Sequence, residues 1–260
     1  MKNKIGWCDM TWNPVWGCLN NCEYCYARGM AKRFGRDMAE YECWYRWYKM
    51  EIAGSYRKRT FINMTEEIRN FKPIFLHSQF NKKFPKKSQR IFVGSMSEIY
   101  YWKDSWIEDV IYKINEYPQH TFQFLTKHME VYAKWVWPKN CILGVTITKQ
   151  KDFDKQRGSY YFFDGNNKTF FSFEPLLEQI NIENFDTRYL KNHNVDWIII
   201  GAETGNRKGK VIPKKEWIDD IIDYCAKKNI PVYLKNSVRK IYPSWVKWIK
   251  EFPKKEITSE

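Results

Sequence analysis

Cys18-Leu-Asn-Asn-Cys22-Glu-Tyr-Cys25 sets three thiols in a C-x3-C-x2-C array. Cysteines this close together in a chain without an export signal point to metal binding or catalysis rather than to a disulfide framework. The segment Met1–Met10 carries Lys2, Lys4 and Asp9 and no apolar run, so it does not read as a signal peptide. The seven cysteines (Cys8, Cys18, Cys22, Cys25, Cys43, Cys141 and Cys225) are odd in number, which also argues against complete pairing. Three thiolates do not close a tetrahedral zinc site, and a fourth ligand would have to come from Cys8 or Cys43, since no histidine is close in sequence. A cubane iron–sulfur cluster on three cysteines instead leaves one iron open to an exogenous ligand, and thiolates are its expected ligands. Iron–sulfur is the favoured reading over zinc, with Cys18, Cys22 and Cys25 as the metal ligands.

Something must hold that loop in place, and the chain shows a repeating device for doing so. Short apolar, β-rich runs each end in a polar cluster: Thr11–Gly17, Ile91–Gly94, Thr121–Leu125, Ile142–Ile147, Thr169–Phe173, Trp197–Ile200 and Val232–Leu234. Helical periodicity fills several of the gaps, over Asp104–Tyr117 and over Lys214–Lys228, which follows Pro213 and stops before Asn229 and Pro231. His128–Val136 and a stretch near Thr187–Asn192 show it more weakly. Strands alternating with helices imply a parallel sheet with helical crossovers, and runs such as Trp197–Ile200 suit burial on both faces. The expected fold class is α/β, a partial or complete β/α barrel of parallel strands forming one domain over 1–260. Residues 26–90 read as a helix after the cysteine loop plus an insertion over one side of the barrel. Residues 238–260 read as a basic C-terminal extension, a docking helix or a flap. In a barrel the residues just past each strand gather at one mouth. That expectation groups the cysteine loop with Glu98, Lys127, Thr146, Glu174, Glu203 and Lys235. The competing reading is that polar residues simply end strands, with an ion pair such as Glu203–Lys235 serving structure.

The cysteine spacing, with the aromatic Tyr24 just before Cys25, resembles the signature of radical S-adenosylmethionine enzymes. Trp12-Asn13-Pro14-Val15, Gly94-Ser95-Met96-Ser97-Glu98, Leu125-Thr126-Lys127, Gly144-Val145-Thr146, Ser172-Phe173-Glu174-Pro175-Leu176-Leu177 and Gly201-Ala202-Glu203-Thr204-Gly205 resemble an uncharacterised phage and prophage branch of it. The resemblance implies a [4Fe–4S] cluster whose open iron chelates S-adenosylmethionine, cleaves it to methionine and a 5′-deoxyadenosyl radical, and so abstracts a substrate hydrogen. It also implies an electron donor such as flavodoxin or ferredoxin. Ser95, Ser97 and Glu98 stand where that superfamily carries a Gly-Gly-Glu-like segment for the methionine amino group, though the two glycines are missing here. Tyr24, Thr126, Lys127 and Thr146 complete the expected cofactor contacts. Glu174, Glu203 and Lys235, on later strands, are the expected catalytic or substrate-facing residues.

A formal net charge of +14 favours a polyanionic partner, or else reflects lysines scattered over solvated faces. The segments Tyr41–Arg59, Lys72–Arg90 and Lys235–Lys255 mix Lys and Arg with Trp, Tyr and Phe, the pairing that single-stranded nucleic acids use. Nucleic acid or nucleotide is one expected substrate class. A peptide or small metabolite, or a non-catalytic metal-stapled nucleic-acid-binding module, is the alternative. No segment approaches the roughly 20 apolar residues of a membrane span, so a cytoplasmic protein is expected.

Overall fold

A computed structural model describes residues 5–52, 54, 57–159, 167–184 and 195–253. The stretch near Thr187–Asn192 and residues 254–260 of the C-terminal extension lie outside them. The strands are β1 (Met10–Trp12), β2 (Val15–Trp16), β3 (Ile74–Phe75), β4 (Arg90–Val93), β5 (Thr121–Thr126), β6 (Cys141–Thr146), β7 (Lys168–Phe173), β8 (Trp197–Ile200) and β9 (Val232–Leu234). The helices are α1 (Tyr26–Lys49), α2 (Lys58–Arg69), α3 (His77–Phe80), α4 (Asp104–Asn115), α5 (Gln150–Ser159) and α6 (Lys215–Lys228). The chain divides into two compact units, the first holding residues 1–126 and 137–141, the second 127–136 and 142–260.

In the first unit β1, β4 and β5 lie side by side and parallel. In the second, β6, β7, β8 and β9 do the same. Parallel strands taken in chain order, with α4, α5 and α6 in the connections, are the topology of a partial β/α barrel, as the sequence implies. All four residues of β8 are buried, as two covered faces require. Helix α6 buries Ile218, Ile221, Tyr224 and Cys225 at helical spacing and ends on Asn229, whose φ of 54° is the left-handed cap that asparagine tolerates.

Three expectations are corrected here. The run Thr11–Gly17 is two strands, because Pro14 lacks the N–H that a ladder needs; β2 turns away to pair antiparallel with β3. The weak helix at His128–Val136 is a 3-10 turn over Met129–Lys134. Up to residue 253 the C-terminal extension is not a docking helix. Leu234 N donates to Ile249 O at 3.0 Å and Glu251 N to Val232 O at 2.8 Å, so the extension covers the open edge of β9. Phe252 packs on Trp197 and Tyr233 there.

The insertion after the cysteines is a helical pair. Helix α1 buries Ala27, Ala31, Gly35 and Ala39 at four-residue intervals. This seam of small residues lets α2 approach closely: a Cβ on Gly35 would meet Arg69 Cγ at 2.9 Å. Buried Glu42 of α1 accepts the N–H groups of His77 and Ser78, at 2.8 and 2.9 Å, and so caps α3. The bonds it accepts from His77, Ser78 and Arg46 hold its carboxyl below the usual carboxylate range despite its burial.

Candidate functional site

The cysteine loop follows β2 and lies beside the segment after β4. Gly17 starts it, with φ of 109° and an ideal Cβ only 2.1 Å from Lys72 O, so no other residue fits. Gly17 N donates to Met96 O and Cys18 N to Phe71 O, both at 2.9 Å, and Gly17 bridges Ser97 in parallel. The loop is thus anchored to the segment after β4. Asn21, with φ of 51°, reverses the chain, and Cys25 N donates to Cys22 O at 3.2 Å. Cys25 is the N-cap of α1, its sulfur accepting Arg28 N–H at 3.4 Å, while Cys18 Sγ accepts Asn20 N–H at 3.4 Å.

Cys18, Cys22 and Cys25 are free and half-buried, whereas Cys8, Cys43, Cys141 and Cys225 are buried. Burial pushes the Cys18 thiol up to about 12, and the charges of Glu98, Cys22 and Cys25 add to the rise. The neighbours that raise it are the two other cysteines of the array and one carboxylate. A fourth cysteine does not reach this group. Cys43 lies about 27 Å along α1 from Cys25 and rests on Met64 Sδ at 3.9 Å. Cys8 precedes β1, whereas the loop follows β2.

Glu98 is the hub of the site. It is buried, and its carboxylate accepts Thr126 Oγ1–H, Asn20 Nδ2–H at 3.2 Å and Tyr100 N–H at 3.5 Å. Asn20 in turn accepts Tyr101 O–H at 2.8 Å. Burial, with the charges of Cys18 and Glu98, raises the Tyr101 phenol above its ordinary value. The ends of β1, β4 and β5 are therefore tied by one network that includes the cysteine loop. Ser95 Oγ donates to Asn13 Oδ1 at 3.0 Å, and Ser97 Oγ accepts Trp102 Nε1–H at 3.1 Å. Tyr24 is half-buried in the turn before Cys25.

The second unit holds the remaining predicted residues at the same ends of its own strands. Glu174, past β7, is ion-paired with Lys235, past β9. Their side chains cross Gly201, where a Cβ would meet both at 3.1 Å. Glu203 is held bidentately by Arg207, at 2.7 and 2.8 Å, which keeps its carboxyl below the usual range. The ion pairs are thus Glu174–Lys235 and Glu203–Arg207, not Glu203–Lys235. Thr146 ends β6 in register with Ser172, whose buried hydroxyl has no hydrogen-bond partner among the described residues, and Lys127 follows β5 half-buried. Asn20, Tyr101 and Arg207 were not expected from sequence, and Asn13 entered only within Trp12-Asn13-Pro14-Val15. Asn20, between Cys18 and Cys22, and Arg207, four residues after Glu203, carried a positional signal; Tyr101 did not.

The fold and this site define an α/β protein of parallel strands with a three-thiol loop after β2. The chain belongs to the family described as "Protein of unknown function (DUF5131)", whose model matches residues 2–255. Neither the curated proteins nor the solved structures contain a match. The resemblance to the radical S-adenosylmethionine superfamily is overturned as a family assignment: DUF5131 is the family that matches. Among the described residues, moreover, no group of three or more His, Cys, Asp or Glu side chains converges as the ligands of one metal ion do. Among those residues, too, no helix is long and apolar enough to cross a membrane.

Proposed function

We propose that this chain is a metalloenzyme that holds a [4Fe–4S] cluster on Cys18, Cys22 and Cys25 and presents its fourth iron to S-adenosylmethionine. The observation that carries the reading is the three-thiol loop after β2, anchored through Gly17 and Cys18 to Met96, Ser97 and Phe71. All-sulfur donors and amide N–H groups directed at Cys18 and Cys25 suit such a cluster.

With the cofactor bound, the group supplies one-electron cleavage of the sulfonium and hydrogen abstraction from substrate. The chain's own residues do the rest. Asn20 and Arg28 N–H groups offset charge on the sulfurs, which raises the reduction potential. Glu98 accepts the cofactor ammonium, held in place by Thr126 and Asn20. Glu174–Lys235 and Glu203–Arg207 supply paired charges for substrate. The net charge of +14 supports a nucleic acid or nucleotide substrate and an acidic electron donor such as flavodoxin or ferredoxin.

The test is anaerobic reconstitution with iron and sulfide, then dithionite and S-adenosylmethionine with detection of 5′-deoxyadenosine. Four irons per chain, brown absorbance and 5′-deoxyadenosine are expected. Alanine at Cys18, Cys22 or Cys25 should abolish the absorbance, and alanine at Cys8, Cys43, Cys141 or Cys225 should not. Stoichiometric zinc without iron, or a cluster that persists in Cys22→Ala, overturns the proposal.

A further inference from the structure

Helix α1 is amphipathic in an inverted sense. It buries small residues against α2 and leaves its large ones in water. Tyr26, Met30, Phe34, Tyr41, Trp44 and Tyr48 are each between 36% and 57% exposed. At about 100° per residue these six fall within a sector of roughly 80°, forming a stripe about 33 Å long. Lone exposed apolar residues are ordinary, but six on one helix face, in two groups parted by Asp37, mark an interaction surface.

Two partners come into question, and the geometry separates them. A nucleic acid needs free ring faces for its bases. Here Tyr41 stacks on Trp44 at 5.9 Å and 25°, and Trp44 on Tyr48 at 5.3 Å and 18°, so these faces are largely spent on one another. A second α1 needs no free ring faces. The stripe is symmetric about Asp37: Tyr26 mirrors Tyr48, Met30 mirrors Trp44, Arg33 mirrors Tyr41, and Phe34 mirrors Glu40. Two antiparallel copies related by a two-fold axis at Asp37 would lay each of these positions on its mirror.

Charge follows the same symmetry. The first half of the stripe is flanked by exposed Arg33 and Arg36, and the centre and second half carry Asp37 and Glu40. Antiparallel pairing therefore sets Arg33 of one copy beside Glu40 and Tyr41 of the other, an ion pair and a cation–π contact together. Arg36, one residue from the axis, offsets the two facing Asp37 carboxylates. The exposed parts of the stripe amount to roughly 400–700 Å² per copy, which with the flanking charged residues approaches the roughly 800 Å² per partner of a standard stable interface.

We infer that the chain forms a two-fold dimer by antiparallel packing of the Tyr26–Tyr48 face of α1 on its copy. Light scattering after size exclusion, on the full chain at tens of micromolar, should give twice the chain mass. Trp44→Glu should return the monomer mass with an unchanged far-ultraviolet spectrum, because Trp44 is exposed. Glu40→Arg should raise the dimer dissociation constant about tenfold, and Arg33→Glu with Glu40→Arg should restore it. A monomeric wild type overturns the inference, as does a dimer indifferent to Trp44→Glu. A monomer that binds an oligothymidylate and loses it on Trp44→Glu also overturns it, and makes α1 a base-stacking platform instead.

Discussion

Glu98 sits among groups that want opposite things from it. Thr126, Asn20 and the backbone N–H of Tyr100 all donate to its carboxylate, so it brackets the cysteine loop to β4 and β5. As a cofactor ligand it would also have to accept an ammonium, which its remaining lone pairs permit. A charged hydrogen bond contributes about 1.5–3 kcal/mol, so Glu98→Ala is expected to weaken S-adenosylmethionine binding by about tenfold or more and to lower the melting temperature as well. Glu98→Gln separates the roles. It keeps an acceptor for Thr126 and loses the charge, so stability should largely survive while affinity falls. A folded, cluster-loaded Glu98→Gln protein with wild-type affinity, by isothermal titration calorimetry, would leave Glu98 as a bracket only.

Individual elements set how precisely the loop is held. Gly17 joins β2 to the cysteines, with a backbone carbonyl where a side chain would stand. Strain at such a position costs on the order of 1–3 kcal/mol, and a clash with backbone adds to it. Gly17→Ala should therefore lose about 3 kcal/mol or more in urea unfolding and fail to retain iron. An unchanged midpoint would mean that the loop leaves the sheet by another path. Helix α4 carries a second unusual group. Lys113 is buried with its ammonium 5.5 Å from the Trp12 ring, 4.9 Å from Phe80 and 5.4 Å from Phe84, and it donates to Lys82 O at 2.9 Å. Burial lowers it to about 8 from an ordinary 10.5. Between those two values the unfolded chain binds the extra proton, so folding stability rises with pH across that window. The melting temperature of the wild type minus that of Lys113→Met should thus grow from pH 8 to pH 10. A flat difference would mean that the rings and carbonyls hold the ammonium charged.

For the whole molecule the dominant property is charge, and here the sequence and the structure divide the labour. Phosphate contacts make log affinity fall linearly with log salt, by about 0.7 per contact on single strands. Fluorescence anisotropy with a short DNA or RNA is expected to show that slope, with binding that persists at physiological salt. No binding at low salt would point to a peptide or metabolite substrate. The sequence by itself determined the α/β class, β8 and β9 to the residue, and the end of α6 at Asn229, because runs of residues that must leave water and the cap that stops them are local. It put Cys18–Cys25 after the apolar run Thr11–Gly17, which the structure divides into β1 and β2. It did not set the family: the cysteine array and the six motifs quoted with it resemble a superfamily other than the one that matches. Only the tertiary structure decided that Glu98 meets Asn20 and Thr126, that Lys235 meets Glu174 rather than Glu203, that the C-terminal extension closes the edge of β9, and that α1 turns its largest residues to water. Those pairings span 78, 28 and 61 residues for Asn20–Glu98, Thr126–Glu98 and Lys235–Glu174. Side chains at strand ends meet only after the sheet has set its order and register, and that order is a property of the assembled sheet that no single segment carries.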